Sequence, residues 1–224
     1  MKGYKVILIS LFSVCTLSGQ MHEIGIVVGG SNTIAEVGNT RFINPNSQVI
    51  GIIYKWNKTT RYSYRASILS TNLSSSDAQS GNPARIRRNY SFQNQLLELS
   101  AGIEVNFFDY NLLKDDSAIT PYFYSGLNLL IHKPPLSVIT PSTTVEELGV
   151  SIPLIIGIKT RISPSIALGV ETGIRYSSTD NIDGVNDINT SPFVKIDNVY
   201  NNDWYVFTSL TLSYTFGQLP CYCN

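Results

Sequence analysis

The chain has 224 residues, 16 basic and 16 acidic side chains, 43% hydrophobic residues and a mean hydropathy close to zero. Zero net charge, with no basic cluster interleaved with aromatics, excludes a nucleic-acid binder driven by electrostatics; Arg85, Arg87 and Arg88 form a dense positive run that reads as a solvated loop flank. The length suits one all-β domain.

The N-terminal stretch MKGYKVILISLFSVCTLSG sets Lys2 and Lys5 before an apolar run from Val6 to Leu17 and closes on Ser18 and Gly19, which predicts a secretory signal peptide over 1–19. The run falls short of the roughly twenty residues of a spanning helix. Cys15 follows Ser13 and Val14 with no small residue directly before it, against a lipoprotein. Beyond it no window is apolar enough for a transmembrane helix, so any membrane crossing falls to strands.

Alternation of apolar and polar residues predicts strands near 23–30, 47–56, 59–70, 93–108, 118–132, 147–161, 164–178 and 202–216. Several reach the nine to eleven residues that cross a bilayer at a tilt. The connections alternate: long at 31–46, 71–92, 133–146 and 179–201, and shorter at WNKT, 109–117 and RISP. Long loops on one rim and short turns on the other predict an eight-stranded antiparallel up-and-down transmembrane β-barrel over 20–216, followed by a cysteine-bearing tail at 217–224.

Each strand divides into two faces. In 202–216 Trp204, Val206, Leu210, Leu212, Tyr214 and Phe216 oppose Ser209, Thr211, Ser213 and Thr215; in the fourth strand Leu97, Leu99, Ala101, Ile103, Val105 and Phe107 oppose Glu98, Ser100, Gly102, Glu104 and Asn106. A soluble ligand-binding barrel shows the same period with its oily side inward. The export signal, the rim asymmetry and the glycines and mixed charges on the polar face favour oily side chains toward lipid, with aromatics such as Trp56, Phe107 and Tyr176 as girdles. Eight strands enclose only enough space for side chains, so the lumen is expected to be plugged by a charge network of Glu23, Lys55, Arg61, Arg65, Glu98, Glu104, Lys159, Glu171 and Arg175.

Chemistry is sparse. His22 and His132 fall at opposite rims, no G-x-S-x-G flags a nucleophile, and Glu98 with Glu104 reads as part of the lumen network, so no catalytic residue, cofactor or small-molecule substrate is expected. Asp180, Asp183 and Asp187 surround Gly184, where carboxylates could hold calcium, but the spacing departs from an EF-hand and Asp-Gly is an ordinary turn dipeptide. Cys221 and Cys223 are separated by Tyr222, too close to bridge each other without strain; a bond to another chain, metal or redox use, and an inert tail all remain open.

The stretches HEIGIVVGGSNTIAEVGNTRFINPNSQVIGIIYKWN, LELSAGIEVNFFDY, LGVETGIRYSSTDNIDG and NDWYVFTSLTLSYTFGQLPCYC together resemble the Bacteroidota outer-membrane β-barrel family that includes PorG, a component of the type IX secretion system. The resemblance implies a non-catalytic barrel in the bacterial outer membrane that ties a periplasmic ring of proteins resembling PorK and PorN to that membrane. Contacts would then lie on the short-turn rim with the termini, at Trp56, Asn57, Lys58, Arg161, Cys221, Tyr222 and Cys223. The alternative is an adhesion or ligand-binding barrel acting through its long outer loops.

Overall fold

In the computed structural model the described residues are 21–34, 41–89, 91–111, 119–133, 146–178 and 204–217. Eight antiparallel strands close an up-and-down barrel: β1 (Met21–Ile34), β2 (Ser47–Asn57), β3 (Tyr62–Ser76), β4 (Ser91–Asn106), β5 (Ile119–Lys133), β6 (Glu147–Ser163), β7 (Ile166–Ser177) and β8 (Trp204–Phe216). Each strand pairs with the next, and β8 closes on β1. A path across the paired positions His22, Trp56, Tyr64, Ile103, Ser125, Leu154, Ile174 and Val206 returns to β1 at Asn32, ten residues on. For eight strands that stagger corresponds to a strand tilt of about 40°.

The strands match the alternation, with three departures. β1 runs on to Ile34, four residues into the stretch 31–46 read as loop. β3 begins at Tyr62 rather than 59, which leaves Arg61 in the turn. The β3–β4 hairpin also continues into the stretch 71–92 read as loop: its ladder persists to Ser76↔Ser91. Ser74, Ser75 and Ser76 give that extension little hydrophobic contrast, so periodicity does not reveal it. A turn of 3₁₀ helix (Asp77–Gln79) and a short helix α1 (Pro83–Arg88) cross its tip. Asn82 caps α1 by accepting a 2.9 Å bond from the Ala84 amide, and Pro83 sits in the first turn, where its missing N–H costs nothing.

The exterior is a greasy belt. Ile24, Ile26, Ile52, Ile103, Leu127, Ile156, Ile158, Val170, Leu210 and Leu212 are all exposed, and their sequence neighbours Gly25, Ile53, Glu104, Asn128, Lys159, Glu171 and Thr211 are buried. A surface this apolar is stable only against hydrocarbon, so this is a lipid-facing wall. Val206 keeps the outward phase of β8, as assigned, but is only 1% exposed.

Inside, the filling is layered. Toward the long-loop rim Val27, Val49, Leu69, Leu73, Leu96, Leu130 and Phe207 form an apolar cluster, and toward the short-turn rim lie ionised side chains. Small residues let the wall close around this filling. Gly102 and Gly126 face each other across β4 and β5, and a Cβ on Gly102 would run into the Ser125 carbonyl and lie 2.7 Å from the Gly126 Cα.

Candidate functional site

The lumen site is built by the period-2 rule acting on neighbouring strands: β2 and β6 direct lysines, β3 and β7 arginines, and β1, β4 and β7 glutamates to the axis. Glu104 is its hub. Lys159 Nζ donates to it at 2.6 Å and Lys55 Nζ lies 2.9 Å away, with Arg65 Nη1 at 3.4 Å. Arg65 turns its fork onto Glu171, donating twice at 2.8 Å, and the Tyr122 hydroxyl donates to the same carboxylate at 2.6 Å. Nearer the apolar layer, Glu98 accepts from Arg175 Nε at 3.1 Å and from the Tyr205 hydroxyl at 2.7 Å. Glu23 accepts from Asn57 at 2.8 Å and Ser213 at 2.9 Å.

Aromatic rings complete the packing. Tyr122 lies 5.2 Å from Lys55 Nζ and Tyr124 lies 4.6 Å from the Arg65 guanidinium, while Phe207 covers Arg175 at 4.0 Å. Removing such ions from water costs several kcal/mol each, and the cost is met only when every charge is paired and hydrogen-bonded. The arrangement joins strands on opposite sides of the barrel and leaves the axis filled with side chains. It has the form of a structural seal.

Of the residues assigned to the lumen from the sequence, Glu23, Lys55, Arg65, Glu98, Glu104, Lys159, Glu171 and Arg175 lie inside. Arg61 does not. It sits in the turn before β3, 55% exposed, and pairs with Asp109, itself 64% exposed, because alternation has no force outside a strand. Of the rim residues assigned to partners, Asn57 and Arg161 are buried: both keep the inward phase of β2 and β6 to the strand ends. Trp56 and Lys58 stay at the outer rim, with the Lys58 ammonium 5.5 Å over the Trp56 ring and Tyr64 at 5.4 Å. Cys221, Tyr222 and Cys223, the signal peptide over 1–19 and the aspartates at 180, 183 and 187 lie outside the described residues.

The histidines serve different ends of the wall. His22 Nδ1 is 2.7 Å from the Tyr54 hydroxyl, and its ring stacks between Tyr54 and Phe216 at the girdle. His132 is buried at the other rim, 3.5 Å from the Asn94 amide nitrogen.

Sequence reasoning missed Tyr110. The segment after β4 turns back beneath the barrel: the Tyr110 amide donates to the Thr60 carbonyl at 3.1 Å, and Asp109 accepts from Thr60 and Arg61. This carries the Tyr110 ring, 3% exposed, into the short-turn mouth, 4.5 Å from the Lys159 ammonium. Burial, with Glu23 adding to it, pushes its phenol well above the ordinary tyrosine range. Its hydroxyl has no hydrogen-bond partner among the described residues, so the ring acts as an apolar stopper. No periodic signal marks a single aromatic in a turn. The inward-facing Tyr205 and Phe207 were equally silent, since large residues occupy both faces of β8 there.

The architecture has solved counterparts among outer-membrane barrels. Neisserial surface protein A (NspA) superposes with a TM-score of 0.52 at 11% identity, covering 89% of this chain and 98% of its own. The N-terminal β-barrel domain of Pseudomonas aeruginosa OprF gives 0.48 at 10% identity, covering 89% and 98%; Yersinia pestis Ail, in complex with the heparin analogue sucrose octasulfate, gives 0.45 at 10%, covering 89% and 100%. The last two superpose too loosely to carry an argument, and at 11% identity NspA speaks for the fold alone. No curated protein matches in sequence. Residues 2–224 match one family model, and the chain belongs to that family, described as a domain of unknown function (DUF6089).

Proposed function

We propose that this protein is a sealed, non-catalytic barrel of the bacterial outer membrane that anchors a periplasmic assembly, acting as a component of a type IX secretion system. The observation that carries the reading is the filled lumen. The ion network around Glu104, the apolar layer at Leu73, Leu96 and Leu130, and Tyr110 in the mouth occupy the axis, so work must be done by the surfaces. The positions of the two histidines, one stacked in the girdle and one buried at the far rim, support the non-catalytic part.

The choice of assembly rests on the likeness of nearly all of the chain after residue 19, its first and last stretches above all, to the Bacteroidota barrels that include PorG. Its partners would be periplasmic proteins resembling PorK and PorN, met by the short-turn rim with both termini in the periplasm. Trp56, Lys58, Tyr222 and the tail cysteines are the proposed contacts; Asn57 and Arg161, buried in the barrel, are not. Affinity purification from detergent-solubilised envelopes tests this. The intact chain is expected to retain a periplasmic partner that deletion of 217–224, or Trp56→Ala with Lys58→Ala, releases. Retention of every periplasmic partner by both variants would overturn the proposal.

A second reading, adhesion or ligand binding by the outer loops, has one observation behind it. At the long-loop rim a hollow of about 510 Å³ is lined by Asn46, Ser74, Gln79, Ser91, Gln93 and Phe92, a neutral amide and hydroxyl surface with one ring. Loss of protein export on deleting the tail but not the β3–β4 tip favours the anchor; the reverse favours the loops.

A further inference from the structure

The lipid belt is uneven around the barrel, and one loop repairs it. A strand residue rises about 3.4 Å, or about 2.5 Å of height at this tilt, so the usual belt of about 25 Å takes about ten residues. On β6 the outward run from Leu148 to Ile162, broken by Thr160, exceeds that. On β1 the unbroken run is Ile24, Ile26 and Val28, about 10 Å of height, and an apolar side chain returns only at Ile34. The next two outward positions are Gly30, which offers no side chain, and Asn32, which is polar.

Those two residues seat the chain that follows β1. The Asn32 amide donates to the carbonyls of Arg41 and Phe42, each at 3.2 Å, and its oxygen accepts from the Asn44 amide at 3.2 Å. Gly30 is required beneath Pro45: a Cβ there would overlap the proline ring. The Asn46 amide then donates to the Ser31 carbonyl at 3.0 Å, which ties the segment to the barrel edge. Asn32 is 3% exposed although its phase on β1 is outward, because the strap 41–46 lies over it. What the strap turns away from the barrel is Phe42, 60% exposed, and Ile43, 57% exposed.

We infer that residues 41–46 form an external strap that lays Phe42 and Ile43 into the lipid at the long-loop boundary, replacing the side chains β1 lacks there. The occupant of this surface is lipid. It continues the apolar band of Val28 and Ile50 directly below, and the strap is tied to the barrel through Asn32 and the Ser31 carbonyl, with Phe42 and Ile43 exposed on its outer side. Asn32 is thus a positioning residue whose side chain satisfies three backbone groups that could find no water at this depth.

The test uses the full chain in lipid vesicles, with Trp56→Phe and Trp204→Phe removing the native tryptophans and Phe42→Trp reporting from the strap. Lipids brominated near the headgroup end of the acyl chain are expected to lower its emission about twofold, with aqueous acrylamide quenching weakly. Adding Asn32→Ala should release the strap, so that bromine quenching falls and acrylamide quenching rises while heat-shifted gel mobility still reports a folded barrel. If acrylamide quenches the Phe42→Trp protein freely and brominated lipid has no effect, the strap stands in water and the inference fails. If neither quenches, protein covers this surface, and the inference fails as well.

Discussion

Replacing Glu104 with glutamine keeps the shape of the side chain and removes the charge on which three cations converge. At about 3 Å and an effective dielectric near 20, each ammonium–carboxylate pair is worth roughly 5 kcal/mol of attraction. Arg65 keeps its two 2.8 Å bonds to Glu171, so the loss falls on Lys55 and Lys159, which held Glu104 at 2.9 and 2.6 Å. Those ammonium groups would be left facing each other without water. A net loss of about 3–5 kcal/mol is expected, the range for breaking a buried pair from one side. The assay is urea unfolding in lipid vesicles, read by heat-shifted mobility and by tryptophan emission. Adding Lys159→Met to Glu104→Gln should recover about 1–3 kcal/mol, because the second change removes a charge the first left unpaired. A Glu104→Gln protein within about 0.5 kcal/mol of the parent, with no coupling to Lys159, would refute the argument that the network seals and holds the lumen.

The exposed Arg61–Asp109 pair should contribute little: Arg61→Ala is expected to cost under about 1 kcal/mol and the effect to vanish in high salt, so a larger, salt-insensitive loss in the same unfolding assay would contradict its placement. Tyr110→Phe should be close to neutral because the hydroxyl has no partner, whereas Tyr110→Ala should cost about 3–5 kcal/mol by emptying the mouth; equal effects would show that the phenol, not the ring, matters. Tyr110 also sets a pH dependence. Its folded pKa is raised, so its contribution is intact below the unfolded value near 10 and is lost as pH rises beyond that; the stability gap between parent and Tyr110→Phe should therefore move in favour of the variant in alkaline unfolding curves. In planar bilayers the parent should show no stable conductance steps, and wide steady openings would contradict a filled axis.

How much was legible follows from where the two faces of a strand differ. In β4 Glu98, Ser100, Gly102 and Glu104 alternate with Leu97, Leu99, Ala101 and Ile103, and the strand, its tilt-compatible length and the lumen charges all follow from that contrast. The same rule carried one residue past the start of β3 misplaced Arg61, and not carried to the strand ends it left Asn57 and Arg161 on the outer rim. Toward the long-loop side both faces turn apolar, as in Ile52 with Ile53, Ile68 with Leu69, and Leu129 with Leu130, so the pattern loses contrast and the inner apolar layer could not be read. Tyr110 and the strap at 41–46 belong to connections, where side-chain direction is set by hydrogen bonds to distant strands and not by any local period.

Methyl resonances offer the most direct test of which face meets lipid. With the chain in nanodiscs and a spin label on the lipid acyl chains, Ile26, Ile52, Ile156, Ile158, Leu210 and Leu212 should broaden strongly, while Ile53, Leu69, Leu73, Leu96 and Ile155 stay sharp. Broadening of the second group with the first left sharp would mean that the barrel is inside out relative to this account.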